Sequence, residues 1–306
     1  GVIVAVMDSG LDIAVECDGV NNCNTLNSGI NPDFYGRMLH VESFTCGGGT
    51  DGPEDTYGHG THVVGSVLGT GANSPAGEDY SGMAPGALLY MQSVLSGASP
   101  LDPSLCTPTN YQDDIFGVAY NAGARVHTNS WGTGPDITVG CSGADCWNYY
   151  DSNSLKIDES AYAMDDMVIL FAMGNDGMDC NSQSWGQTSC LGGQNGEVNL
   201  GFMNRQATAK NILSIGASEN MRPSFFSPYS AMCNGATCDL PKTNQKFGTE
   251  PIASDAYGDE IEGMAAFSNR GPANDGRTKP DLTAPGTYII SSYSYYTWFE
   301  AGEDQE

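Results

Sequence analysis

Gly1–Met7 reads GVIVAVM, an unbroken apolar run rich in β-branched residues. A strand with one face in water alternates apolar and polar side chains, whereas a strand buried on both faces does not. Three further runs share this character, Ala87–Val94, Ala124–Thr128 and Met167–Ala172, and a fifth, Ile212–Ala217, follows a polar loop. All are far too short to span a bilayer. Between them lie segments suited to helices. Gly58–Leu68 follows a loop rich in Gly, Asp and Pro, Asp113–Ala122 opens on two acids, and Leu155–Met164 follows a Ser/Asn cluster. Strands alternating with helices predict βαβ units, and so an α/β fold: three layers, α/β/α, around a mostly parallel central sheet. Neither an internal repeat nor a linker interrupts the pattern. Residues 1–306 are expected to form one domain, with the polar segments near 97–112, 133–153, 178–196 and 221–262 as loops or insertions.

Charge narrows the class of partner. The chain carries 37 Asp and Glu against 11 Lys and Arg, a formal net charge of −26. Such a polyanion repels nucleic acid and anionic membrane surfaces, so neither is expected to bind. The same charge suits solubility, basic ligands, bound calcium or salty surroundings. Ten cysteines point to an oxidising compartment and a secreted protein. Cys17/Cys23, Cys141/Cys146, Cys180/Cys190 and Cys233/Cys238 lie close together in polar stretches, and pairing them locally leaves Cys46 and Cys106 as a long-range bridge. Spacing alone does not fix that connectivity. A zinc cluster is the rival, but none of the four histidines is placed for one.

In open α/β sheets, active sites gather at the carboxyl ends of the strands. The first run is followed by Asp8-Ser9-Gly10, the third by Asn129-Ser130-Trp131-Gly132, and the fourth by Met173-Gly174-Asn175-Asp176-Gly177. Gly58-His59-Gly60-Thr61-His62 brings an imidazole to the start of a helix. Each has a plainer reading taken singly: a capping Asp, a turn, a structural histidine.

Together and in this order they resemble the subtilisin-like serine proteases, the subtilases. The match includes Asp8-Ser9-Gly10, His59-Gly60-Thr61-His62-Val63-Val64-Gly65, Asn129-Ser130-Trp131-Gly132 and Gly174-Asn175. It continues through Phe267-Ser268-Asn269-Arg270-Gly271-Pro272 and Lys279-Pro280-Asp281-Leu282-Thr283-Ala284-Pro285-Gly286, with smaller matches at Asn31-Pro32-Asp33 and Gly82-Met83-Ala84-Pro85. The resemblance implies an Asp–His–Ser triad in that chain order. Asp8 would orient His59, and His59 would act as general base and then general acid. Asn175 would supply the oxyanion-hole amide. His62 is expected to be structural. Ser130, Trp131, Gly132 and Gly174 would line one side of the substrate site, and Leu95-Ser96-Gly97-Ala98 would form the opposing edge, Ser96 and Gly97 being the contact residues. The substrate implied is a polypeptide held in extended form. Trp131 also reads as a packing residue.

No cofactor is implied for the chemistry. Acidic stretches such as Asp51–Asp55 and Asp255–Glu262 leave room for structural calcium, without the spacing of an EF-hand. The family's nucleophile sits in a Gly-Thr-Ser-Met-Ala type motif after Ala-Pro-Gly. Thr287–Glu306 holds no such motif, and Ser291, Ser292 and Ser294 lie in a tyrosine/serine stretch unlike it. The domain is therefore expected to be cut at both ends, with the serine beyond residue 306 or on a second chain. The alternative is an inactive extracellular structural or binding module on the same fold.

Overall fold

A computed structural model of the chain describes residues 1–13, 31–44, 52–95, 105–134, 147–179, 195–222, 227–232 and 246–294. The strands are β1 (Ile3–Asp8), β2 (Met38–Ser43), β3 (Leu88–Ser93), β4 (Val126–Asn129), β5 (Val168–Ala172), β6 (Leu213–Ser218) and β7 (Leu282–Pro285). The longer helices are α1 (His59–Leu68) and α3 (Ser152–Ala163), with a single turn, α2 (Val118–Asn121), between them. The chain divides into two compact units. One comprises Gly1–Ser130, Glu159–Ile169 and Ile290–Glu306; the other comprises Trp131–Asp158 and Leu170–Ile289.

In the first unit the strands run in the order β2-β3-β1-β4 and pair in parallel. Val4 stands between Leu89 and Val126, so β1 has a strand on either side. Successive side chains then go to opposite faces. Val4, Val6, Leu89 and Met91 pack with Leu11, Phe34 and the α1 residues Val64 and Leu68. Ala5 and Tyr90, on the other face, pack with Ala119 of α2 and with Ala124. Both faces are therefore covered by helix, which is why the sequence of β1 shows no alternation. Each large apolar side chain taken out of water here contributes about 1.5–3 kcal/mol. In the second unit the order is β5-β6-β7, again parallel, with Phe171 opposite Ser214 and Gly216 opposite Thr283. The fold is the three-layer α/β/α class read from the sequence.

Two strands were not expected. β2 is the end strand beside β3, its sequence is Met-Leu-His-Val-Glu-Ser, and apart from Met38 its side chains are at least partly exposed. β7 is the end strand beside β6, and all four of its residues are exposed. Neither carries an apolar pattern, because neither buries a side-chain face. The helix expected over Asp113–Ala122 also differs. A widened turn covers Tyr111–Gly117, and regular helix starts only at Val118. The carbonyl of Gln112 comes within 2.4 Å of where a Cβ on Gly117 would lie, so the wide turn depends on glycine.

Among the cysteines Cys106 alone falls among the described residues, and it is buried and disulfide-bonded. Every pairing expected from the sequence includes at least one cysteine outside the described residues, Cys46 in the case of Cys106.

Candidate active site

β1 delivers Asp8 to its carboxyl end, 2% exposed. The carboxylate Oδ1 accepts the N–H of Ser9 at 2.8 Å and lies 2.6 Å from Nδ1 of His59. A ring nitrogen that close to a carboxylate carries a proton, so in the neutral imidazole Nε2 is the basic atom. The His59 side chain is 45% exposed. Its pKa is raised, first by the charge of Asp8, then by the hydrogen bond to that carboxylate and by the charge of Asp55; desolvation works against them. A buried carboxylate and a half-exposed imidazole thus form a base of fixed tautomer and increased proton affinity.

A second carboxylate builds this corner. Asp55 is fully buried. Its Oδ1 accepts the Ser9 hydroxyl at 2.8 Å and the Gly58 N–H at 2.7 Å, and its Oδ2 accepts the Thr61 N–H at 2.7 Å. Gly60 in turn donates its N–H to the Ser9 oxygen at 2.8 Å. The N–H groups at the start of α1 are satisfied by these side chains, which fixes the helix end that carries His59. A Cβ on Gly60 would lie 2.2 Å from the carbonyl oxygen of Gly10, so only glycine lets the helix approach the Asp8-Ser9-Gly10 turn. The sequence reading placed Asp55 in an acidic stretch suited to calcium. Both of its carboxylate oxygens are taken up by α1 and Ser9. Among the described residues no group of three or more His, Cys, Asp or Glu is placed to hold a metal ion. The overlooked signal was an Asp at cap spacing ahead of an apolar helical run.

His62 lies one turn further along α1, where its carbonyl accepts the hydroxyls of Ser66 and Ser291. The serines near the end of the described chain are committed elsewhere. Ser291 donates to His62 O, Ser292 to Asp33 Oδ2 and Ser294 to Asp55 O, each at 2.7 Å.

The second unit holds the remaining expected residues that are described, save Ser130, which closes the first segment of the first unit. Trp131 is 7% exposed and packs edge-on against Phe171 at 5.3 Å, which gives it a core contact. Gly132 and Gly174 both abut Asn204: Cβ atoms on them would lie 2.4 Å from its Nδ2 and 3.0 Å from its Oδ1. Asn204, which the sequence reading did not single out, is buried and donates its N–H to Met173 O at 2.8 Å. It brings the Trp131-Gly132 and Gly174-Asn175 stretches to one side chain. Asn175 is exposed on the turn that follows β5. Ser96 and Gly97 lie outside the described residues.

A family model described as the subtilase family matches residues 1–304. The chain is similar to a serine protease/ABC transporter B family protein, tagD, of Dictyostelium discoideum, with 28% identity over 96% of this chain and 16% of that protein. It is also 28% identical to a subtilisin of Bacillus sp. (strain TA39), over 55% of this chain and 34% of that one. Among solved structures it is similar to the nisin leader peptidase NisP of Lactococcus lactis, with TM-score 0.45 and 14% identity, covering 93% of this chain and 61% of that one. The chain thus spans about a sixth of the length of the Dictyostelium relative, at 16%. With a model of the whole family running across nearly its full length, and serine proteases as its relatives, the chain belongs to the subtilase family.

Proposed function

We propose that this chain is most of the catalytic domain of a secreted serine endopeptidase, with Asp8 and His59 as two members of its triad. The observation that carries the reading is the 2.6 Å contact between Asp8 Oδ1 and His59 Nδ1, which leaves Nε2 as the base. In the reaction, Nε2 takes the hydroxyl proton of a serine carried beyond residue 306 while its oxygen bonds to the substrate carbonyl carbon. The developing oxyanion is stabilised by the Asn175 side-chain amide, a donor whose loss costs about 2.7–4 kcal/mol in serine proteases of this kind. The C–N bond then breaks, and His59 gives its proton to the leaving amine. Water, activated by the same imidazole, releases the acyl group. No cofactor enters these steps.

The substrate is a polypeptide lying along Ser130–Gly132 and the stretch that includes Ser96 and Gly97. The net charge of −26 favours neutral or basic substrates at low salt, and disfavours nucleic acid or an anionic membrane as a partner. Among the described residues no helix is long and apolar enough to cross a membrane. Secretion rests on the ten cysteines and the bonded state of Cys106.

The test is to express the full gene product, label it with a fluorophosphonate, and assay hydrolysis of a neutral and a basic peptide. Labelling of one serine, lost in H59A together with hydrolysis, is expected. A folded product that neither labels nor hydrolyses would leave the non-catalytic module on this fold in its place.

A further inference from the structure

The turn bearing Asn175 is held at every peptide around it, from within its own unit. Asn269 is completely buried. Its Nδ2 donates to Met173 O at 3.0 Å, its main-chain N–H donates to Gly174 O at 3.0 Å, and its Oδ1 accepts the Asp176 N–H at 2.8 Å. Gly174 is in the left-handed region at φ 108°, and a Cβ there would lie 2.3 Å from Asn269 Nδ2, so no other residue fits the clamp. The carbonyl of Asn175 itself accepts Lys246 Nζ at 2.6 Å. The peptide joining Asn175 to Asp176 is thereby gripped at its oxygen by an ammonium and at its N–H by Asn269.

Lys246 is not a solvated surface lysine. It is half-buried, its ammonium is 5.7 Å from the ring centroid of Phe247, and its carbonyl accepts the Asp179 N–H at 3.1 Å. Burial lowers its pKa while the charge of Asp176 raises it, and burial raises the pKa of Asp176 in turn. In a chain with 11 basic residues, one is placed under the candidate oxyanion donor. A donor aimed at developing charge is effective to the degree that it is fixed beforehand.

We propose that Lys246 is a positioning residue for Asn175, gripping its carbonyl so that the side-chain amide is held ready for the oxyanion. This rests on the peptidase reading above. The experiment uses the full gene product and a fluorogenic peptide, with wild type, K246M, K246R, N175A and the double variant K246M/N175A. K246M is expected to lower kcat about tenfold with KM within about twofold, as befits one charge-assisted hydrogen bond that acts in the transition state. K246R restores most of the loss. In the N175A background K246M has no further effect, since the lysine acts through that side chain. Should K246M not fold, K246Q, a neutral donor, takes its place with a smaller loss and the same silence in N175A. An active wild type whose Lys246 variants keep kcat, or lose it equally with and without Asn175, overturns the inference alone. A wild type without peptidase activity overturns the peptidase reading and this inference with it.

Discussion

His59 and His127 belong to the same compact unit, and their surroundings drive them in opposite directions. His59 sits at the start of α1, half-exposed, against the Asp8 carboxylate at 2.6 Å, and its pKa is raised. His127 lies inside β4 with no exposed surface, and desolvation lowers its pKa to about 3. Its partners are neutral. Nε2 donates to Gln92 Oε1 at 2.9 Å, Nδ1 accepts from Asn129 Nδ2 at 3.1 Å, and the Phe116 ring meets it edge-on at 4.7 Å. Gln92 in turn donates to Glu42 Oε1 at 2.7 Å, so the nearest charge on this path is one residue removed. Both imidazoles are hydrogen-bonded and well packed. What separates the two rings is the formal charge of the group touching each, because only a charge offsets the cost of protonating in a low dielectric.

Removing that charge should have the largest effect. Asp8→Asn keeps the shape and leaves His59 without its anion, so peptidase turnover of the full gene product is expected to fall about 10⁴-fold. The His59 pKa should fall with it, as followed by the ring proton shifts. A variant that lost activity while His59 titrated as in wild type would show that the carboxylate acts by geometry alone. Next comes Asp55→Asn. The carboxylamide oxygen can replace only one acceptor, and its NH₂ meets donors that the carboxylate satisfied. Unfolding by urea should show a loss of about 3 kcal/mol, the cost of stranding buried donors around a network of this kind. His59 should also lose a small part of its raised pKa, since the charge of Asp55 contributes least among the causes that raise it.

The contrast between the two histidines was only half readable from sequence. β1 and β3 announce themselves because both of their faces are buried, and Asp8 and His59 sit in short local motifs. His127 lies in the expected run Ala124–Thr128, where nothing in the letters tells a histidine wedged among neutral amides from one facing a carboxylate. Asp55 was seen as one acid of a loop, since its value lies in bonds to Ser9, 46 residues away, as well as to nearby Gly58 and Thr61. Asn269 was quoted in a motif without a role, because its bonds reach Met173 and Asp176, 96 and 93 residues back. Asn204 was not seen at all. End strands β2 and β7 escaped for the reason that makes them end strands: they bury little, so they leave no pattern. Motif chemistry and burial periodicity are local signals, whereas the residues that hold a site in place are chosen by three-dimensional proximity.

The smallest of the expected effects separates the histidines by pH. A histidine whose folded pKa is depressed binds its proton in the unfolded chain first. His127 therefore costs stability as pH falls from about 6.5 towards about 3, at up to about 1.4 kcal/mol per pH unit. His59 has the opposite sign. Its raised folded pKa contributes stability that is complete below about 6.5 and is lost as pH rises through the folded value. Glu219, Asp255 and Asp176, whose carboxyl pKa values are raised, favour the folded state at low pH and partly mask the His127 slope. They are common to every variant, so a difference curve removes them. Unfolding free energies of wild type minus H127Q, measured from pH 3 to 8, should slope below about 6.5 and be flat above it. The same difference with H59Q should be flat below and slope above. A flat H127Q difference in acid would mean that His127 takes a proton while the protein stays folded, and the division between a charged and a neutral imidazole environment would then fail at its neutral end.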